Sequence, residues 1–137
     1  ITLSNLARIP LERGDLDEAE RLYREALTTF RQRLGPDAWN NGVVLTHLAT
    51  IARRRGQLAE AQRLAREALA IHETAFPDGS QYTASAQVEL GHVLLARGRP
   101  GAAVAHVRAA LAQREAEVGP DHESTAEARA LLARLGR

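Results

Sequence analysis

The chain has 137 residues, with 18 basic residues against 17 acidic ones and a formal net charge of +1. That length suffices for one domain with a modest core, and the charge balance argues against a dominant nucleic-acid or membrane-surface footprint. Cysteine is absent and aromatics make up only 4%, which excludes disulfide and thiolate chemistry and leaves Leu, Ala and Val to build closely packed helices.

The first predicted helix leads up to Gly14. Pro10 falls late in it, where a missing N–H is expected to kink or end the helix early. Asp15 is a natural N-cap for a second helix, with Glu18 at capping-box spacing. That helix continues through Leu34, and Gly35-Pro36-Asp37 ends it. Asp37 is placed to cap the third helix.

The third helix runs from Val43 to Gly56, with Val44, Leu48, Ile51 and Ala52 at helical spacing. Its end carries Arg53-Arg54-Arg55, which reads as cations at the negative end of a helix dipole. A partner helix comes after it, closed by Pro77-Asp78-Gly79. In the third pair Gly98 marks the turn and Pro100 sits where a first-turn proline is tolerated. Gly119-Pro120-Asp121 then leads to a seventh helix from about Ser124 to Leu135, with Asp121 as its expected cap. Pairs four residues apart add support: Asp17 with Arg21, Glu20 with Arg24, and Arg63 with Glu67.

The sequence overlays itself on a shift of 42 residues. Gly14, Gly56 and Gly98 coincide, as do Ala19, Ala61 and Ala103, and Leu6, Leu48, Leu90 and Leu132. No gap is needed. The alanines lie where two helices must approach closely, and the leucines fill the space between hairpins.

This pattern resembles the tetratricopeptide repeat. Leu6-Ala7, Gly14, Ala19, Tyr23 and Ala26 match its spacing in the first unit. Leu48-Ala49, Gly56, Ala61, Leu64 and Ala68 match in the second, and Leu90-Gly91, Gly98, Ala103, His106 and Ala110 in the third. The usual unit has 34 residues; a 42-residue unit with LSNLA, GDLDEAERLYREAL and LGPD is similar to the kinesin light chain subclass. Armadillo and HEAT units also run near 40–47 residues, but armadillo units have three helices and lack this Gly-to-Ala spacing. The third unit departs most, with Arg99-Pro100-Gly101-Ala102 in place of an acidic cap.

The resemblance implies an all-α right-handed superhelix, an α-solenoid of about three hairpins plus one terminal helix. The expected repeats are 1–37, 38–79 and 80–121, with the last helix in 122–137. It also implies a concave groove lined by the first helix of each hairpin. Carried over by register, the groove face holds Asn5, Arg8 and Glu12, then His47, Thr50 and Arg54, then Glu89, His92 and Ala96, and finally Arg134. Each set keeps the three-and-four spacing of one helix face.

No catalytic motif competes with this reading. His72-Glu73 opens like a zinc-protease helix, but Phe76 stands where the second His is required; His122-Glu123 fails at Ala126. The glycines stand singly, so no phosphate loop is present. No enzyme activity, cofactor or metal is expected. The expected partner is a protein or peptide, with neither nucleic acid nor membrane, and the alternative is a structural segment that self-associates through exposed solenoid ends. All 18 basic residues are Arg, which reads as GC-rich codon usage and a bacterial source. No apolar run of about 18 residues and no leader pattern occur, so the cytoplasm is the expected compartment. A first residue other than Met suggests a piece of a longer array.

Overall fold

The computed structural model describes the backbone of residues 3–136 and the side chains of residues 7–136. Seven α-helices follow one another there: α1 (Leu3–Arg13), α2 (Leu16–Leu34), α3 (Trp39–Arg54), α4 (Leu58–Ala75), α5 (Gln81–Ala96), α6 (Val104–Val118) and α7 (Glu123–Leu135). A 3-10 turn, Pro100–Ala103, leads into α6 with the proline at its start. No strand occurs among the described residues. Each helix packs on its chain neighbours, and α3 also touches α5, as α5 touches α7. First helices therefore stack on first helices, giving a right-handed α-solenoid of three hairpins and a lone last helix.

The hairpin turn is built the same way three times. Gly14, Gly56 and Gly98 have φ of 81°, 77° and 74°, a left-handed conformation that side chains resist. The N–H after each glycine reaches back to the helix end: Asp15 to Pro10 O at 2.8 Å, Gln57 to Ala52 O at 2.9 Å, Arg99 to Leu94 O at 2.8 Å. This is the Schellman closure of a helix C-terminus. Pro10, expected to kink or end its helix early, lies inside a helix that runs on to Arg13. Proline removes only its own donor, and its carbonyl still closes the turn.

The same closure corrects the capping-box expectation. Asp15 does accept the Glu18 N–H, at 3.2 Å, but the Asp15 N–H is already held by Pro10. The Glu18 carboxylate turns instead to Arg21, at 2.6 Å. Asp17, expected to pair with Arg21, reaches across to Arg55 of the next hairpin. Glu20–Arg24 at 3.0 Å and Arg63–Glu67 at 3.5 Å form as expected.

Asp37 and Asp121 are not caps. The N-cap positions are one residue later, at Ala38, Ser80 and His122. The Ser80 hydroxyl accepts the Thr83 N–H at 3.1 Å, and His122 Nδ1 accepts the Ser124 N–H at 3.1 Å. Ala38 offers no side-chain cap. A second device ties α3 and α7 to the hairpin before each. Asn41 donates to Gly35 O at 2.8 Å, and Thr125 to Gly119 O at 2.8 Å. Both side chains are fully buried, and these bonds satisfy carbonyls at a helix C-terminus.

The core follows the repeat. Ala19, Ala61 and Ala103 are all 0% exposed, which allows the close approach their size suggested. Val44, Leu48, Ile51, Ala52 and Leu90 are buried as expected, while Leu132 is half-buried. The Leu6 side chain lies outside the described residues. Gly91 meets Val107 so closely that a Cβ there would sit 2.6 Å from the valine Cγ2. In the second hairpin the same register pair is Ala49 and Ala65, both fully buried. Size lost on one helix is thus recovered on its partner.

Candidate functional site

The chain carries a groove of about 500 Å³. Arg8 of α1, Trp39, Asn40, Val43, Thr46 and His47 of α3, and Gln81, Tyr82 and Ser85 of α5 form most of its wall. The groove therefore lies on the first-helix side. Phe30 of α2 and His72 of α4 complete its lining. These two residues share one repeat position, and the third copy of that position is Arg114. Arg114 lines a smaller continuation of about 280 Å³ that shares Gln81 and Ser85 with the first. The lining thus changes along the groove from aromatic to charged.

Trp39, Tyr82, His72 and Phe76 make a stack that shapes the first part. Trp39 and Tyr82 are 4.9 Å apart and 29° from parallel. Tyr82 lies 5.9 Å from His72 and 5.8 Å from Phe76. Trp39 remains 39% exposed, so a large apolar face is open to the groove. On the other flank Tyr23 stacks on His47 at 4.8 Å. Burial, aided by the Arg8 charge, pushes the His47 imidazole down to about 4, so it is neutral near pH 7. Burial raises the Tyr23 phenol to about 12, and its hydroxyl has no hydrogen-bond partner among the described residues.

The residues expected on the groove face divide into several groups. Arg8 and His47 line the groove. Glu12 is an exposed partner of Arg8, at 3.6 Å. Thr50 and Glu89 are joined to each other, with the Glu89 carboxylate 7% exposed and held by Arg53 at 2.5 Å. Arg54 donates to Leu11 O at 3.2 Å, locking one hairpin to the next. His92 approaches Glu127 at 3.9 Å, and Arg114 reaches the same carboxylate at 2.9 Å. His92 first and then Arg114 hold the Glu127 carboxyl below its usual range. Arg134 and Ala96 are exposed. The Asn5 side chain lies outside the described residues.

The Arg53-Arg54-Arg55 run is committed within the fold. Arg53 serves Glu89, Arg54 serves Leu11, and Arg55 serves Glu20 at 2.6 Å as well as Asp17. Three guanidiniums that look like one basic patch in sequence thus serve four different neighbours.

Sequence reasoning missed Trp39, Asn40, Val43, Thr46, Gln81, Tyr82, Ser85, Phe30 and His72 as lining residues. Five of them were within reach of the rule already used. Four and seven residues before His47 stand Val43 and Asn40, with Trp39 beside them; the same steps before Glu89 reach Ser85 and Tyr82. The face extends one to two turns further toward the helix N-termini. Phe30 and His72 come from second helices, and only the three-dimensional packing brings them in. Among the described residues, no three His, Asp or Glu side chains converge as a metal site, and no helix is long and apolar enough to cross a membrane.

The family model described as Tetratricopeptide repeat matches residues 1–74 and 82–135. Two solved structures are similar in fold. One holds the nearly identical TPR-like repeats of a candidate kinesin light chain from Podosopora anserina, with a TM-score of 0.82 and 22% identity. The other is a substituted variant of that same Podosopora protein, with a TM-score of 0.78 and 24% identity. Each likeness covers 97% of this chain and 63% of the other, so the chain spans less than two thirds of their length. No curated protein matches the chain in sequence.

Proposed function

The chain belongs to the tetratricopeptide repeat family, a class of protein-interaction modules, and on that premise we propose that it receives a peptide or partner-protein segment in its first-helix groove. The observation that carries this reading is the open Trp39 face beside Tyr82 and Val43, in a concavity of about 500 Å³. That volume lies within the usual range for a site enclosing one ligand group. An apolar side chain of the partner would pack on Trp39. The Arg8 guanidinium at the rim would donate to a carboxylate or a backbone carbonyl. Catalysis has no place in this reading. The chain would serve as the recognition arm of a larger bacterial cytoplasmic protein and act without a cofactor.

A random peptide array probed with the chain tests this directly. Peptides retained by the native chain and lost by Trp39→Ala and Arg8→Ala, both folded by circular dichroism, support the groove. Retention that is equal for all three sinks it.

One observation favours a second reading, self-association. Leu34 and Val118 are 54% and 48% exposed, and they occupy the same repeat position, with Phe76 as its middle copy. A mass that stays monomeric at rising concentration removes that alternative.

A further inference from the structure

His72 lines the groove, yet its side chain is 0% exposed, and among the described residues neither ring nitrogen makes a well-formed hydrogen bond, although the Gly42 carbonyl lies near the ring. A buried polar group without a partner costs stability comparable to a lost hydrogen bond. Such a group at a groove wall is one that a ligand could complete. The geometry points to His72 as a socket for a neutral polar head, a hydroxyl or carboxamide, carried on the apolar side chain that enters between Trp39 and Val43. This rests on the groove reading and adds the chemistry of the anchor.

The surroundings narrow the class. Burial lowers the pKa of His72, although the nearby Gly42 carbonyl opposes this. Near pH 7 the ring is neutral and offers one donor and one acceptor. A hydroxyl or carboxamide can answer either nitrogen in either tautomer. A hydrocarbon would leave both bare. A carboxylate set against His72 would bring an unpaired charge to a buried wall, since Arg8, the one cation among the described residues lining this groove, stands at the exposed rim beside Glu12.

The ring is also held firmly enough to be read. A Cβ at Gly42 would fall 2.6 Å from its Cε1, so the α3 backbone presses on one side. Tyr82 stacks at 5.9 Å and is the half-buried cover that must swing aside for a ligand head to arrive.

Small aromatic probes separate these possibilities. p-Cresol, toluene and p-toluate share one body and differ only in the head. With histidine-¹⁵N-labelled native chain, p-cresol is expected to bind about 10-fold tighter than toluene, the ratio set by one satisfied buried hydrogen bond, and to shift the His72 ring nitrogens. p-Toluate is expected to bind more weakly than p-cresol. In His72→Phe the preference for p-cresol should vanish while toluene still binds. Equal affinity for p-cresol and toluene in the native chain, or ring nitrogens that do not move at saturation, overturns the socket whether or not the variant folds. Array peptides lost with Trp39→Ala alongside indifferent probes would leave the groove standing and remove only the socket. Probes that behave as expected, with no groove-dependent peptide, would do the reverse.

Discussion

Replacing Gly91 with alanine should destabilise the third hairpin, although alanine is the better helix former by about 1 kcal/mol. The new Cβ would sit 2.6 Å from Val107 Cγ2 and 3.0 Å from Leu131 Cδ2. The Leu131 end can rotate away. Val107 is β-branched and fully buried, so its rotamer is stiff. Overpacking typically costs about 1–3 kcal/mol, and so severe an overlap belongs at the upper end. The net loss for Gly91→Ala is then about 2 kcal/mol. Val107→Ala alone should cost about 2 kcal/mol through a cavity. The double variant recreates the Ala49–Ala65 pair of the second hairpin and should lose only about 1 kcal/mol, where simple addition gives about 4 kcal/mol. Urea unfolding followed by circular dichroism reads all four chains. Additivity within about 0.5 kcal/mol would refute the idea that the two positions trade volume.

Three further outcomes follow from the same packing. The His47 imidazole, pushed from its ordinary 6.5 down to about 4 by burial and Arg8, binds protons more readily unfolded than folded. Its contribution is present at pH 7 and lost as pH falls through that window. Urea midpoints should show the native chain losing about 2 kcal/mol more than His47→Phe between pH 7 and pH 5. Gly42→Ala drives a Cβ into the His72 ring at 2.6 Å. It should cost about 1–3 kcal/mol and shift Trp39 fluorescence, and His72→Ala should relieve both effects. Arg53→Ala strands the buried Glu89 carboxylate and should cost about 3–5 kcal/mol, whereas Arg21→Ala on the exposed Glu18 pair should leave the midpoint of the same denaturation assay nearly unchanged.

The solenoid was legible because its determinants are local and repeated. Gly14, Gly56 and Gly98 mark left-handed turns, and Ala19, Ala61 and Ala103 mark close contacts; both signals recur at one spacing. Asp15 caps its helix as read, but the caps at Asp37 and Asp121 were misplaced by one residue, because the register of a turn depends on bonds such as Asn41 to Gly35 O that the turn residues alone do not reveal. The groove was legible only in part. Arg8 and His47 followed from the repeat register that the family resemblance supplies. Thr50 and Glu89 share that register, but Arg53 draws Glu89 into a buried network that no single-helix pattern reveals. His72 was read only as a failed zinc ligand. Its burial against Gly42 is a contact between two helices thirty residues apart in sequence.

The central claim is that a partner segment docks at the Trp39 face. The chain contains a single tryptophan, so its fluorescence reports on that face alone. Titrating the native chain with an array-selected peptide that lacks tryptophan should shift the Trp39 emission in a saturable way, and Val43→Glu should abolish the shift without unfolding the chain. Saturable binding by calorimetry with Trp39 emission unchanged would contradict the claim and place the partner elsewhere on the solenoid.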